Sequence, residues 1–199
     1  MPRPALHQTE VVLDAVRDLI LDSGPRGVGI REIAERSGAP SGSLYHRFGS
    51  RDNLVALAWL RAVRRFQAGF LKALEADDPH EGVKGAVRWG VEYALAEPAD
   101  TRLLLCFSRA DLLDAEPAAE TAGELAAVNF AVERAVKRLA RRVFGTVNNA
   151  AVERITYAVI DLPYSVLRRQ IQAGTLSRRT IAPLQSAAIA ILNSNKRTQ

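Results

Sequence analysis

The sequence holds little of what reactive or membrane-embedded chemistry requires. One cysteine, Cys106, stands among 199 residues, so neither a disulfide within the chain nor a multi-cysteine metal site can form, which suits a reducing cytoplasm. The three histidines, His7, His46 and His80, lie in unrelated segments, and no His-x-x-x-His or Glu-x-x-His spacing puts two ligands on one helix face. No metal and no cofactor is expected. Gly-x-Ser-x-Gly and phosphate-cradling glycine loops are missing. Asp111 and Asp114 flank Leu112-Leu113 and read as the border of a short helix, not as paired catalytic carboxylates. Cys106 sits in the apolar run 103–107 and reads as a small buried hydrophobe. That run is far short of a membrane span, and the first ten residues lack the apolar core of a signal peptide. The expectation is a cytoplasmic protein that is neither an enzyme nor membrane-bound.

Period-two alternation is also missing, and β-branched runs are short. Apolar residues instead recur at three- and four-residue spacing almost throughout, which predicts an all-α chain. Breakers at Gly24-Pro25-Arg26-Gly27, Gly38-Ala39-Pro40, Gly49-Ser50, Asp77-Asp78-Pro79, Glu97-Pro98, Glu116-Pro117, Gly145-Thr146 and Gly174-Thr175 divide it into about nine helical segments. Long helices are predicted over 51–75, 80–96, 118–144, 148–173 and 177–193, and the alanine- and glutamate-rich stretch 115–127 reads as a loop before a helix. With 48% hydrophobic and 25% charged residues, such a chain can build its own core. A net charge of +5 and a pI near 9.8 tilt it modestly toward polyanionic partners.

The first three segments are short and ordered in a way that locates a function. Segment one, 9–23, puts Val12, Val16, Leu19 and Ile20 on one face, with Thr9 as a candidate N-cap. Segment two, 30–37, turns Ile30, Ile33 and Ala34 inward and stops at Gly38, a residue free to take positive φ. Segment three, 40–48, points Leu44 and Phe48 into the same core at i and i+4. Ser41, Gly42, Tyr45 and His46 must then face outward. A face that is small and polar at its N-terminal end and aromatic further along suits close approach to phosphates and base edges. It carries no acid from Ala39 to Ser50. A helical protein-interaction module, the other class compatible with this architecture, would tolerate acids there.

The run Ile30-Arg-Glu-Ile-Ala-Glu-Arg-Ser-Gly38, then Gly42-Ser-Leu-Tyr-His-Arg-Phe48 and Ser50-Arg-Asp-Asn-Leu54, resembles the N-terminal signature of the tetracycline-repressor (TetR) family over roughly 11–57. The resemblance implies a three-helix helix-turn-helix DNA-binding domain, residues 1–54, and a helical ligand-binding and dimerisation domain, residues 55–199. It places Arg31, Ser41, Gly42, Ser43, Tyr45, His46 and Arg51 at DNA-facing positions and leaves Ala34, Leu44 and Phe48 for packing. It implies a homodimer on a double-stranded, near-palindromic operator, with repression relieved by a small-molecule effector. Pro40-Ser41 replaces the family's usual cap and lysine, and Gly29 replaces a common threonine.

Beyond residue 55 the motifs thin out. The stripes Ile155, Val159, Leu162, Val166 and Ile181, Leu184, Ala188, Ile191, Leu192 need a partner surface, and the small Ala187, Ala188 and Ala190 suit a dimer interface formed by the last two helices. Aromatics inside helices, Trp89, Tyr93, Phe107, Tyr157 and Tyr164, with Asp161, are the expected lining of a pocket for an apolar or aromatic effector. Pro163 should kink its helix, since its ring clashes with the carbonyl of Val159.

Overall fold

The computed structural model describes residues 5–194, and every regular element among them is helical. By packing, the chain divides into two compact units. One comprises the residues up to Val63 together with Ala99–Val128, and the other comprises Arg64–Pro98 and the residues from Asn129 onward.

In the first unit α1 (Ala5–Ser23) begins before Thr9, which therefore lies inside the helix rather than capping it. It buries Val12, Leu13, Val16, Leu19 and Ile20 at three- and four-residue spacing. Gly24, at φ 75°, ends it, and a turn Pro25–Gly27 leads to α2 (Ile30–Ser37) and α3 (Ser41–Phe48). Ile33, Leu44 and Leu54 are fully enclosed in one core with Val16, Ile20, Val55 and Ala58, the last two from α4 (Arg51–Leu74). Leu103 of α6 (Pro98–Cys106) and Leu112 of α7 (Arg109–Leu112) close that core. Each such side chain contributes about 1.5–3 kcal/mol on burial, so residues 99–128 are as much part of this unit as the first three helices. The 115–127 stretch is not a loop: Ala119–Ala127 forms α8, anchored by Leu125 against Ala56 and Leu60. Alanine and glutamate are good helix formers, which their low hydrophobicity obscured.

A charged brace ties α6 to α1. Asp100 is wholly buried and accepts a 2.8 Å hydrogen bond from Arg17, whose other contacts are Asp18 and Asp14. Burial works against the Arg17 charge, but the bonds to Asp100 and Asp18 outweigh it and hold the guanidinium pKa above its ordinary value.

In the second unit α5 (Pro79–Ala96) starts at the Asp78 cap and packs Gly82 and Gly85 against the end of α4 at Ala73, where a Cβ would stand at 3.4 Å. The predicted helix over 118–144 is broken between α8 and α9 (Phe130–Phe144). The one over 148–173 runs as α10 (Asn149–Thr156), a π turn at Tyr157–Asp161, and α11 (Leu162–Gln172). That π turn is how the chain accommodates Pro163. The Leu162 N–H reaches back five residues to the Tyr157 carbonyl, and the widened turn makes room for a ring that would strike the Val159 carbonyl. α12 (Ile181–Asn193) packs Leu184, Ala188 and Leu192 inward, and its Gln185 donates to the Lys84 carbonyl at 2.8 Å.

Removing one partner of a buried ion pair strands the other. Asp100→Ala is expected to lower the unfolding free energy by about 3 kcal/mol. Glu116→Ala, which removes an exposed 3.6 Å pair with Arg109, is expected to cost less than about 1 kcal/mol. Urea denaturation checks both, and equal costs would show that the brace adds nothing to the unit.

Candidate nucleic-acid interface

Two left-handed glycines shape the turns around α3. Gly38, at φ 70°, ends α2, and Gly49, at φ 76°, ends α3. Any side chain at these positions would be strained, so the sharp reversals on either side of α3 follow from the sequence. Between them Pro40 sets the entry, and its carbonyl accepts the Ser43 and Leu44 N–H groups. No side chain caps the start of α3, which leaves the N–H groups of Ser41 and Gly42 facing outward at the positive end of the helix dipole.

The helix is two-sided. Leu44 is fully buried and Phe48 nearly so, while Gly42, Tyr45 and His46 are exposed and Ser41 and Ser43 are half-buried. Tyr45 is 57% exposed, the largest value among the large apolar side chains of the described residues. An aromatic ring offered to water with a polar tip is the composition of a contact residue. Arg31, at the start of α2, is exposed, and no hydrogen bond or ion pair engages it among the described residues. Arg47 is held back: it donates to the Thr9 hydroxyl at 2.6 Å and lies over the Phe48 ring at 4.9 Å. A Cβ at Gly29 would meet the Glu32 carboxylate, the movable end of a flexible side chain.

Arg51 departs from its expected place. Its guanidinium does not present to a phosphate; it donates to the carbonyls of Val28 at 3.1 Å, Leu112 at 2.8 Å and Pro25, and pairs with Asp52 at 2.7 Å. The side chain is only 15% exposed. It fastens the Pro25–Val28 turn and the end of α7 to the start of α4. The neighbouring Asp52 accepts the Asp114 N–H, and Asn53 bridges the Phe48 carbonyl and the Ala118 N–H. Sequence reasoning missed Asn53, Asp52 and the Arg17–Asp100 pair because their partners lie up to 83 positions away and leave no local pattern.

The effector residues expected from the sequence fall in both units. Phe107 packs on the core of the first unit. Trp89 and Tyr93, in the second, form a closed aromatic cluster with Phe66 and Phe70 at centroid distances of 5.5 Å, and the indole N–H donates to the Phe66 carbonyl. Tyr157 and Tyr164 are 46% and 41% exposed, and Asp161 is exposed too. These three are surface groups of the single chain. The Tyr157 hydroxyl donates to Glu153, which with that carboxylate's charge raises its pKa. No group of three or more metal-ligating side chains occurs among the described residues, and no helix there is long and apolar enough to cross a membrane.

Charge is distributed unevenly. Residues 1–54 hold seven Lys or Arg and seven Asp or Glu, whereas residues 129–199 hold 12 of the chain's 27 cations and 3 of its 22 acids. The high pI therefore does not come from the helix-turn-helix segment, which is neutral by side-chain count and has an acid-free α3.

Residues 12–58 match the family model described as bacterial regulatory proteins, tetR family. No curated protein matches the chain by sequence. Among solved structures, a TetR-like transcriptional regulator from Rhodococcus sp. RHA1 is similar at a TM-score of 0.72 and 18% identity, over 98% of this chain and 100% of its own. A fatty acid degradation regulator from Bacillus halodurans gives 0.71 and 14%, over 92% and 97%. The TetR family regulator PfmR from Thermus thermophilus gives 0.67 and 18%, over 91% and 93%. At these identities the likeness is one of fold.

Arg51 and Tyr45 should separate in a stability measurement. Arg51→Ala leaves buried carbonyls unmatched and is expected to cost about 2 kcal/mol. Tyr45→Ala, at an exposed position, should stay within about 0.5 kcal/mol of the parent. Thermal unfolding followed by circular dichroism distinguishes them, and an unchanged midpoint for Arg51→Ala would return that residue to the DNA-facing set.

Proposed function

We propose that this chain, whose residues 12–58 match the tetR family of bacterial regulatory proteins, is a member of that family and a repressor that binds a near-palindromic operator as a homodimer and lets go when a small effector binds. The observation that carries the reading is α3 itself: a two-turn helix with an uncapped N-terminus, no acids and an exposed tyrosine, seated on a core that fixes its direction.

In this reading residues 1–54 act as the DNA-binding head and 55–199 as the ligand-binding and dimerising part. α3 enters the major groove, with Ser41, Gly42 and His46 near base edges and Arg31, Ser43 and Tyr45 on phosphates. Arg51 serves as a brace behind them. Half-sites lie about one or more helical turns apart.

The last two helices supply the dimer contact. α12 has no charged residue across 13 positions, yet Ala182, Pro183, Ser186, Ala187 and Ala190 are exposed, and Tyr157 and Tyr164 are exposed on the helix before it. A long uncharged surface helix is favoured when a second copy covers it. The effector is apolar or aromatic. It acts by fitting better the form in which the two heads are wrongly spaced, since only differential affinity can shift the equilibrium.

Fluorescence anisotropy with a duplex selected from a random pool tests the DNA reading. Tyr45→Ala should weaken binding by about 1–3 kcal/mol, and Arg31→Gln should reduce the salt slope by about one. Wild-type affinity in both variants would remove α3 from the interface. Sedimentation equilibrium tests the dimer: Ala187→Arg should shift it to monomer, and an intact dimer in that variant would place the contact elsewhere.

A further inference from the structure

α9 buries Ala135, Val136, Leu139 and Ala140 and turns the rest of its length outward. That outer face carries Arg134, Lys137, Arg138, Arg141 and Arg142, all exposed, against a single acid, Glu133. Like charges three and four residues apart destabilise a helix, so an ordinary solvated face interleaves the two signs. Two ordinary reasons for cations cover part of this set. Arg141 and Arg142 stand in the last turn, where the helix dipole favours positive charge. Arg142 also donates to the carbonyls of Leu74, Ala76 and Asp77 at and beyond the end of α4. Neither reason reaches Lys137 or Arg138 in mid-helix, and no hydrogen bond or ion pair engages either among the described residues.

The same side chains enclose a space. Lys137, Arg138, Arg141, Arg142 and Val147 line an open hollow of about 380 Å3, walled by aliphatic stems, with the charged ends of Lys137, Arg138 and Arg141 at its rim and the Arg142 guanidinium held beside it by the carbonyls it donates to. An adjoining hollow shares Arg138 and Arg142 but is bordered by Glu75, so the unmixed positive field lies on the Val147 side.

We infer that this hollow binds a small, multiply charged phosphate compound. Guanidinium forks match phosphate oxygens two at a time, and the lysine adds a point charge. A single phosphate would leave part of the four-cation set still self-repelling, whereas a compound with two or more phosphates neutralises it. The space falls in the range of small-molecule pockets, about 300–1,000 Å3, while a duplex backbone would need only a row of exposed cations and no hollow. The inference stands apart from operator binding and does not depend on it.

Calorimetric titration of the full chain with inorganic tripolyphosphate, at fixed ionic strength and against sulfate as reference, tests it. Saturable binding of one tripolyphosphate per chain is expected, weakened at least tenfold in the double variant Arg138→Gln and Arg141→Gln, whose circular dichroism and unfolding midpoint should match the parent. Arg168→Gln with Arg169→Gln, two exposed arginines outside the hollow, should bind as the parent does. Competition by vesicles containing anionic phospholipid would identify a lipid headgroup as the source. Competition by a nucleoside triphosphate without any effect of vesicles would identify a free ligand, and either result supports the site. Heats equal to those of sulfate, or affinity unchanged in the double variant, would overturn it. So would binding of operator-free duplex DNA that depends on Arg138 and Arg141 while tripolyphosphate fails to bind.

Discussion

An eight-residue helix makes too few internal hydrogen bonds to persist alone in water, so the surface that α3 offers exists only while Leu44 and Phe48 remain seated in the core. Leu44 is wholly enclosed and Phe48 nearly so, and their i, i+4 spacing leaves one rotation of the helix about its axis that buries both. Everything proposed for the opposite face follows from that rotation. Ile33 fixes α2 in the same core, and the left-handed Gly38 sets the angle at which the second helix leaves the first. Arg51 and Asn53 then secure the back of the arrangement through backbone carbonyls and N–H groups, and residues 99–128 become structural partners of a motif far earlier in the chain.

This division of labour explains a neutral head. If the arginines near α3 supplied affinity as loose surface charge, the first 54 residues would be expected to carry a positive excess, and they do not. Arg17, Arg47 and Arg51 are engaged internally, Arg36 pairs with Asp22, and Arg31 is left exposed without a bonded partner among the described residues. Recognition by such a surface rests on shape, a helix N-terminus and a few placed side chains. The chain's net positive charge belongs to residues 129–199, where α9 gathers it on one face.

Much of this was legible in the sequence because it is local. Turn glycines, the spacing of Leu44 and Phe48, and the acid-free stretch from Ala39 to Ser50 are written within a few residues of one another, and they yielded the all-α fold and the position of α3. Pro163 was read as a disturbance of its helix, and the chain meets it with a π turn. What could not be read depends on distant pairing. Arg51 looks like a surface cation until the carbonyls of Val28 and Leu112 are brought to it. Tyr157 and Tyr164 look like pocket lining until the fold turns them outward, and the break between α8 and α9 at Val128-Asn129 carries no proline or glycine to announce it. Aromatic spacing alone cannot separate a packed cluster such as Phe66, Trp89 and Tyr93 from a ligand cage.

The central claim is that the outward face of α3 is the surface that meets DNA. Amide hydrogen exchange followed by mass spectrometry, with and without a selected duplex, addresses it directly. Exchange should slow across 38–50 on adding DNA and stay unchanged across 130–144. Protection at 130–144 with none at 38–50 would contradict the claim and move the nucleic-acid interface to the basic face of α9.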